Sequence, residues 1–513
     1  MAQTVSELIA THAEDAPAIG APERDWLSYG GLRAQSAATR DALHAAGVGR
    51  GDRVAIVLPN GPEMASAFVT IAQTATTAPL NPGYRQEEYE FYLSDLSAKA
   101  IVLAEGYDGP ALAAARSSNL TVIRLAFDAA EPAGTFTLTP EGSAGTADTA
   151  APTPDDVALI LHTSGTTSRP KIVPLLQSNV AASAANIRTS LELTPADRCM
   201  NVMPLFHIHG LIAAVSASLE AGASIWCTPG FNALAFFGQL ETCKPSWYTA
   251  VPTMHQAILS RAGRNAEIIA GANLRFLRSS SASLPPPVMA ELQKTFGAPV
   301  IEGYGMTEAT HQMCSNPLGF DTQKAGSVGV PAGPLVRIAH ESDDVLIDNG
   351  TIGEVVISGP NVTPGYEGNP DANAKSFFEA EGARWFRTGD QGAFDAEGYL
   401  SLTGRLKEII NRGGEKVSPL EVDAILLDHA EIAQVVTFAL PHPKLGEEVA
   451  AAVVLTDGSE MTERDIRDFA ASRLADFKVP RKVVLLEELP KGATGKIQRI
   501  GMAEKLGLVE QAA

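Results

Sequence analysis

Nine consecutive residues, Thr163-Ser164-Gly165-Thr166-Thr167-Ser168-Arg169-Pro170-Lys171, carry the chain's clearest chemistry. Glycine and small hydroxyl residues let backbone N–H groups close on an anion, and the hydroxyls and Lys171 add donors to phosphate oxygens. The run directly follows the strand-like VALILH and reads as a phosphate loop. Gly165 is not followed by GK[ST] at P-loop spacing and no GxGxxG opens a helix, which disfavours a P-loop ATPase and a Rossmann dehydrogenase. An exposed Ser/Thr-rich turn is the competing reading.

Four segments downstream add chemistry in a fixed order: Tyr304-Gly305-Met306-Thr307-Glu308, Thr388-Gly389-Asp390, Gly404-Arg405-Leu406-Lys407-Glu408, and Pro490-Lys491-Gly492-Ala493-Thr494-Gly495-Lys496. Taken singly, Glu308, Asp390 and Arg405 could be surface charges and Lys496 a solvated loop lysine.

These segments need a scaffold. From about 155 to 305 short β-branched runs (VALIL, ASIWC, WYTAV, LRFLR, PVIEGY) alternate with helical patterns near 177–190 and 253–262, after an earlier set from RVAIVL to AKAIVL. Such alternation predicts a mostly parallel sheet over 155–305, covered by helices on both faces, beside the earlier similar set. The Ala/Gly/Thr/Pro-rich stretch 129–155 reads as a loose connection. The expected architecture is α/β: a large lobe over 1–403, subdivided near 1–150, 151–324 and 325–403, the last a small β-barrel-like subdomain. A smaller, mobile α+β domain over 404–513 completes it, with helices near 418–428 and 462–474 and strands near 433–440, 447–455 and 482–487.

The chain of 513 residues is 45% hydrophobic and 19% charged, which supports a sizeable core and excludes general disorder. Its net charge of −20, with no Lys/Arg-rich run, disfavours nucleic acid as a partner, so an anionic substrate needs a local binding device. Four scattered cysteines, Cys199, Cys227, Cys243 and Cys314, suggest neither zinc nor disulfides and fit a reducing compartment. MAQTVSELIATHAED lacks a signal peptide's basic segment, LIAAVSASL is too short to span a bilayer, and VEQAA is not an SKL-type address. A cytoplasmic protein without membrane contact is expected.

Together, in this order, the five segments resemble the core motifs of the adenylate-forming superfamily of acyl-CoA synthetases, luciferases and peptide-synthetase adenylation domains, over essentially the whole chain. The resemblance implies that a carboxylate attacks the α-phosphorus of ATP, pyrophosphate leaves, and the thiol of coenzyme A then displaces AMP. It places the loop Thr163 to Lys171 on the β and γ phosphates and Mg²⁺ on Glu308. Glu302, Gly303 and Tyr304 fall at adenine, Thr307 at the nucleotide and reaction centre, and Asp390 with Arg405 at the ribose. Lys496 would bridge the carboxylate and α-phosphate, Lys407 would be the hinge between half-reactions, and Gly413 and Gly414 would let the pantetheine arm of coenzyme A pass.

The segments lining the acyl pocket in that family read here PLFHIHG, WYTAVP, LRSSSA and EGYGMTEATH, a polar set that implies a small polar acid. His207, His311, Ser280 and Ser281 are the candidate carboxylate holders, with Arg278 supplying charge from behind. His207-Ile208-His209 lacks a further Cys/His partner nearby, which favours core or pocket histidines over a metal pair. The segments HTSGTTSRPK, MPLFHIHGL, WYTAVPTMHQ, LRSSSASL and MTEATHQM look like the oxalate-CoA ligases of plants and fungi, a branch near the coumarate-CoA ligases. One departure is Ile172, where that family usually has glycine. The alternatives are a ligase for malonate, a short monocarboxylate or an aryl acid, an acyl-AMP ligase feeding a carrier protein, and a non-catalytic nucleotide-binding module.

Overall fold

A computed structural model describes residues 2–142, 145–163, 170–490 and 498–509. Two sheets form the large lobe. The first runs, edge to edge, Thr137–Pro140, Thr121–Ala126, Ala100–Ala104, Arg53–Val57, Thr76–Pro79, Val157–Thr163 and Lys171–Leu176, parallel except for the antiparallel strand at each edge. The second has nine strands, with Pro17–Ala21, Ser224–Cys227, Arg198–Asn201, Trp247–Ala250, Phe276–Ser280 and Val300–Met306 parallel at its centre. Their central strands are buried on both faces and mainly apolar, as parallel strands covered by helices require.

Two sequence expectations need correction. The strands between 155 and 305 do not share one sheet, because Val157–Thr163 pairs in parallel with Thr76–Pro79 of the first set. The stretch 129–155 is not wholly loose: Thr137–Pro140 pairs with Thr121–Ala126, and Phe136 is buried in the core. Six helices open with proline in the first turn, at Pro62, Pro110, Pro252, Pro286, Pro370 and Pro419, where the missing N–H costs nothing.

The apolar run after 208 forms wide π-type turns over His209–Ser216, every residue buried, and continues as a helical turn over Ala217–Glu220. Such turns often mark functional positions. Here the segment carries a histidine into the apolar interior.

A barrel-like six-stranded antiparallel sheet covers 335–405, built around Ala383–Phe394 and Leu400–Arg405. Beyond it, Ile410–Arg412, Glu415–Val417, Ile432–His442, Gly446–Leu455 and Lys482–Leu485 make a five-stranded sheet, flanked by Pro419–Leu427 and Glu463–Ala471. Its hydrophobic clusters draw only on residues after 409, so this part has its own core. Among the described residues, no helix is long and apolar enough to cross a membrane.

Candidate functional site

Thr163 and Lys171 face each other across the last paired rung of an antiparallel hairpin, so the sheet edge presents both ends of the candidate phosphate loop together. Ser164 to Arg169 lie outside the described residues, and Pro170 is half-buried beside Lys171. Ile172 is paired with His162 and buried among Ile160, Leu80 and Leu103, so its side chain anchors the loop's exit strand in the core.

The Lys171 Nζ sits 4.1 Å above the ring of Tyr366, whose hydroxyl donates to Glu308 Oε1 at 2.8 Å. Glu308 stands on the short helical turn Thr307–Ala309, which Thr363 N–H braces by donating to the Glu308 carbonyl at 2.8 Å. Burial raises the Glu308 carboxyl above the usual range, opposed by the Tyr366 bond and by the charges of Arg405 and Lys171. Burial lowers the Lys171 amine, the like charge of Lys407 adds to this, and Glu308 opposes it. Glu308, Lys171, Lys407 and Arg405 therefore share one electrostatic neighbourhood.

Tyr304 closes the strand's buried end and donates to Asp390 Oδ2 at 2.5 Å. Asp390 pairs in register with Arg405, whose Nε lies 3.2 Å from Oδ1. A carboxylate held between a phenol and a guanidinium is a ready acceptor for paired hydroxyls. Glu302 is buried on the same strand. Its Oε1 accepts from Leu284 N–H at 2.9 Å, pinning the loop after Ser281, while Oε2 has no partner among the described residues.

The acyl-pocket candidates converge less evenly. The rings of His209 and His311 lie 5.1 Å apart. Both are held well below the usual histidine value, first by burial; the charge of Arg278 also acts on both rings. Neutral histidines here offer hydrogen bonds rather than charge. His209 bonds Thr249 Oγ1 at 2.6 Å through Nε2 and Ser281 Oγ at 3.0 Å through Nδ1, whereas His311 Nδ1 is buried with no partner among the described residues. His207 is half-buried and its Nδ1 accepts from His209 N–H at 3.2 Å. Ser280 is fully buried and donates to the Gly303 carbonyl at 2.7 Å, so its proton is engaged in holding two strands together. Ser281 is the serine that joins the histidine group.

The local backbone is strained where these groups meet. Ser281, Thr310 and His311 adopt φ of 72°, 47° and 93°. Non-glycine residues reach this region at a cost that surrounding structure must hold, and such residues gather at functional sites. Gly305 permits the turn: a Cβ there would lie 1.7 Å from the His311 carbonyl oxygen.

Gly413 and Gly414, at φ of 61° and 97°, turn the hairpin between Ile410–Arg412 and Glu415–Val417. Lys407 sits in the turn joining Leu400–Arg405 to that hairpin, closed by Ile409 N–H on the Arg405 carbonyl at 2.9 Å. Lys496 lies outside the described residues. Sequence reasoning did not find Tyr366, a tyrosine in a Gly- and Pro-rich loop, nor the bonds that fix His209. The HIH spacing was the signal for the latter, and no group of three or more metal-ligating side chains occurs among the described residues. A surface depression of about 580 Å³ lies apart from all of this, and its Arg116 and Arg124 are both paired with Glu141.

For Mg²⁺, Glu308 fits: it is an oxygen donor, buried, and its ionised form would be favoured by an adjacent cation. For ATP, the hairpin ends at Thr163 and Lys171 and the Tyr304–Asp390–Arg405 set offer complementary phosphate and ribose partners.

Comparison with known proteins supplies the chain's family. Residues 7–367 match the family model described as AMP-binding enzyme, and 421–496 match the AMP-binding enzyme C-terminal domain. The chain is 47% identical to an oxalate–CoA ligase of Arabidopsis thaliana, over 88% of each protein. It is 43% identical to an oxalate–CoA ligase of Saccharomyces cerevisiae, over 89% of this chain and 87% of that one. Among solved structures, ATP-bound MatB from Rhodopseudomonas palustris superposes with a TM-score of 0.86 at 27% identity, over 98% of this chain and 99% of that one.

Proposed function

From the premise that this chain belongs to the AMP-binding enzyme family, we propose that it is an ATP-dependent, AMP-forming oxalate–CoA ligase. One oxalate carboxylate attacks the α-phosphorus of ATP, forming oxalyl-AMP and releasing diphosphate. The thiol of coenzyme A, losing its proton, then displaces AMP to give oxalyl-CoA.

The observation that carries the choice of acid is the polar group of the buried His209 and His311 with the half-buried Ser281 and His207 beside them. An apolar acyl chain would leave the His311 Nδ1, which has no partner among the described residues, unsatisfied at a cost of about 1–3 kcal/mol, whereas a second carboxylate satisfies it. The identity to plant and yeast oxalate–CoA ligases supports the same choice.

In this reading Asp390 receives the ribose hydroxyls with Arg405 beside it, Tyr304 lies against adenine, and Thr307 borders the reacting phosphate. Lys171 meets the outer phosphates. Mg²⁺ at Glu308 would neutralise phosphate charge as pyrophosphate departs. Lys496 is carried to the α-phosphate by a mobile part beginning at 404, with Lys407 as its hinge, and Gly413 and Gly414 then line the path of coenzyme A.

The test is thioester formation from ATP, Mg²⁺ and coenzyme A with oxalate, malonate, acetate and coumarate in parallel. Oxalate giving the highest kcat/KM supports the proposal; weak turnover with oxalate beside strong turnover with another acid overturns it.

A further inference from the structure

The histidines of the candidate acyl site lie in the field of a charge for which the described residues provide no counter-ion. Arg278 lies on the strand Phe276–Ser280 with zero exposure, among the largest fully buried side chains. Its Nη2 donates to the amide oxygen of Gln312 at 3.2 Å, while Nε and Nη1 are buried with no partner among the described residues. Among the described residues no carboxylate pairs with it. The backbone is shaped around it, since a Cβ at Gly303 would come within 2.9 Å of Nη2. Gln312 is itself braced, donating to Ser190 Oγ at 2.9 Å and to the Ala332 carbonyl at 3.1 Å, so its amide oxygen is aimed at the guanidinium.

A desolvated guanidinium with two unpaired nitrogens is costly, and folds retain such groups where something else supplies the missing charge. Burial pulls Arg278 down to about 10, which leaves it charged at neutral pH. Its field reaches both His209 and His311, opposing their protonation. The two rings are neutral, so an anion placed against them draws its electrostatic stabilisation from Arg278.

We propose that Arg278, oriented by Gln312, is the specificity-determining residue that makes the enzyme select acids bearing a second, uncoupled carboxylate. This rests on the oxalate reading above. When one carboxylate is joined to AMP, the other keeps its negative charge, and Arg278 is the buried cation that compensates it. A neutral group in that place leaves Arg278 uncompensated, so discrimination arises from the penalty on the wrong acid as well as the attraction of the right one.

The experiment compares oxalate with oxamate, of similar size but with a neutral amide in place of one carboxylate, in the parent enzyme and in Arg278→Met and Arg278→Lys. In the parent, kcat/KM for oxalate exceeds that for oxamate at least tenfold. Arg278→Met shrinks that ratio at least tenfold, chiefly through KM for oxalate, and Arg278→Lys restores part of it. Replacing a buried charge by an apolar residue of similar volume is often tolerated by the fold; if Arg278→Met does not fold, the parent ratio and Arg278→Lys decide. A parent that uses oxalate and oxamate equally, or an Arg278→Met variant with an unchanged ratio, overturns the inference while leaving the oxalate reading intact. A parent inactive with oxalate overturns both.

Discussion

The Tyr366 hydroxyl donates a 2.8 Å hydrogen bond to Glu308, and the same tyrosine ring lies beneath the amine of Lys171. One side chain thus fixes the carboxylate assigned to Mg²⁺ and the cation assigned to phosphate. Tyr366→Phe keeps the ring and removes only the bond. A hydrogen bond to a charged group is worth about 1.5–3 kcal/mol, so kcat/KM for ATP is expected to fall roughly tenfold or more, with KM for the acid little changed. A larger effect on the acid than on ATP would contradict the assignment.

Gly305 predicts a folding defect rather than a chemical one. A methyl at that position meets the His311 carbonyl oxygen at 1.7 Å, so Gly305→Ala must push apart the hairpin that carries Glu308 and His311. Its thermal unfolding temperature should drop clearly below that of the parent, and ATP and acid saturation should weaken together. An unchanged unfolding temperature would show that the hairpin yields.

Glu302 gives the stability a pH dependence of defined sign. Burial pushes its carboxyl from the ordinary 4.5 up to about 8, opposed by the bond from Leu284 N–H. A carboxyl kept neutral in the fold but free to ionise when unfolded contributes stability that is fully present below about pH 4.5 and is lost as pH rises towards about 8, with a limiting slope of about 1.4 kcal/mol per pH unit. Glu302→Gln lacks this loss. Its urea midpoint should therefore fall less than the parent's between pH 6 and pH 8.5; equal falls would refute the shift.

Lys496 is assigned to the charge that develops as the acid attacks the α-phosphorus. Loss of a group aimed at a transition state typically costs on the order of 10² to 10³ in rate. Lys496→Ala should slow oxalyl-AMP formation by that factor in a single turnover, and should affect thioester formation from preformed oxalyl-AMP far less. Adenylation within twofold of the parent would exclude the role.

The central sheets were legible because β-branched runs and helical periods alternate, and the helix over 177–190 falls where its pattern places it. The strand Thr137–Pro140 was not, because its half-exposed polar residues give no apolar run to read. Sheet membership of Val157–Thr163 was also hidden, since pairing as distant in sequence as Thr77 with Leu159 is decided by tertiary packing and not by local pattern. At the candidate site, ordered motifs singled out Asp390, Arg405 and Glu308, which the fold places within electrostatic reach of one another. Tyr366 escaped because a loop tyrosine has no local signature until Lys171 and Glu308 surround it. Ser280 and Ser281 are neighbours in sequence, yet strand alternation and the left-handed turn at Ser281 give their hydroxyls different partners, a carbonyl and His209.

The most direct test of the activation chemistry is exchange of radiolabelled pyrophosphate into ATP, run without coenzyme A. The account predicts exchange that requires oxalate and Mg²⁺ and proceeds with no thiol present, because the mixed anhydride forms before the thioester. Exchange independent of any acid, or absent until coenzyme A is added, would contradict it.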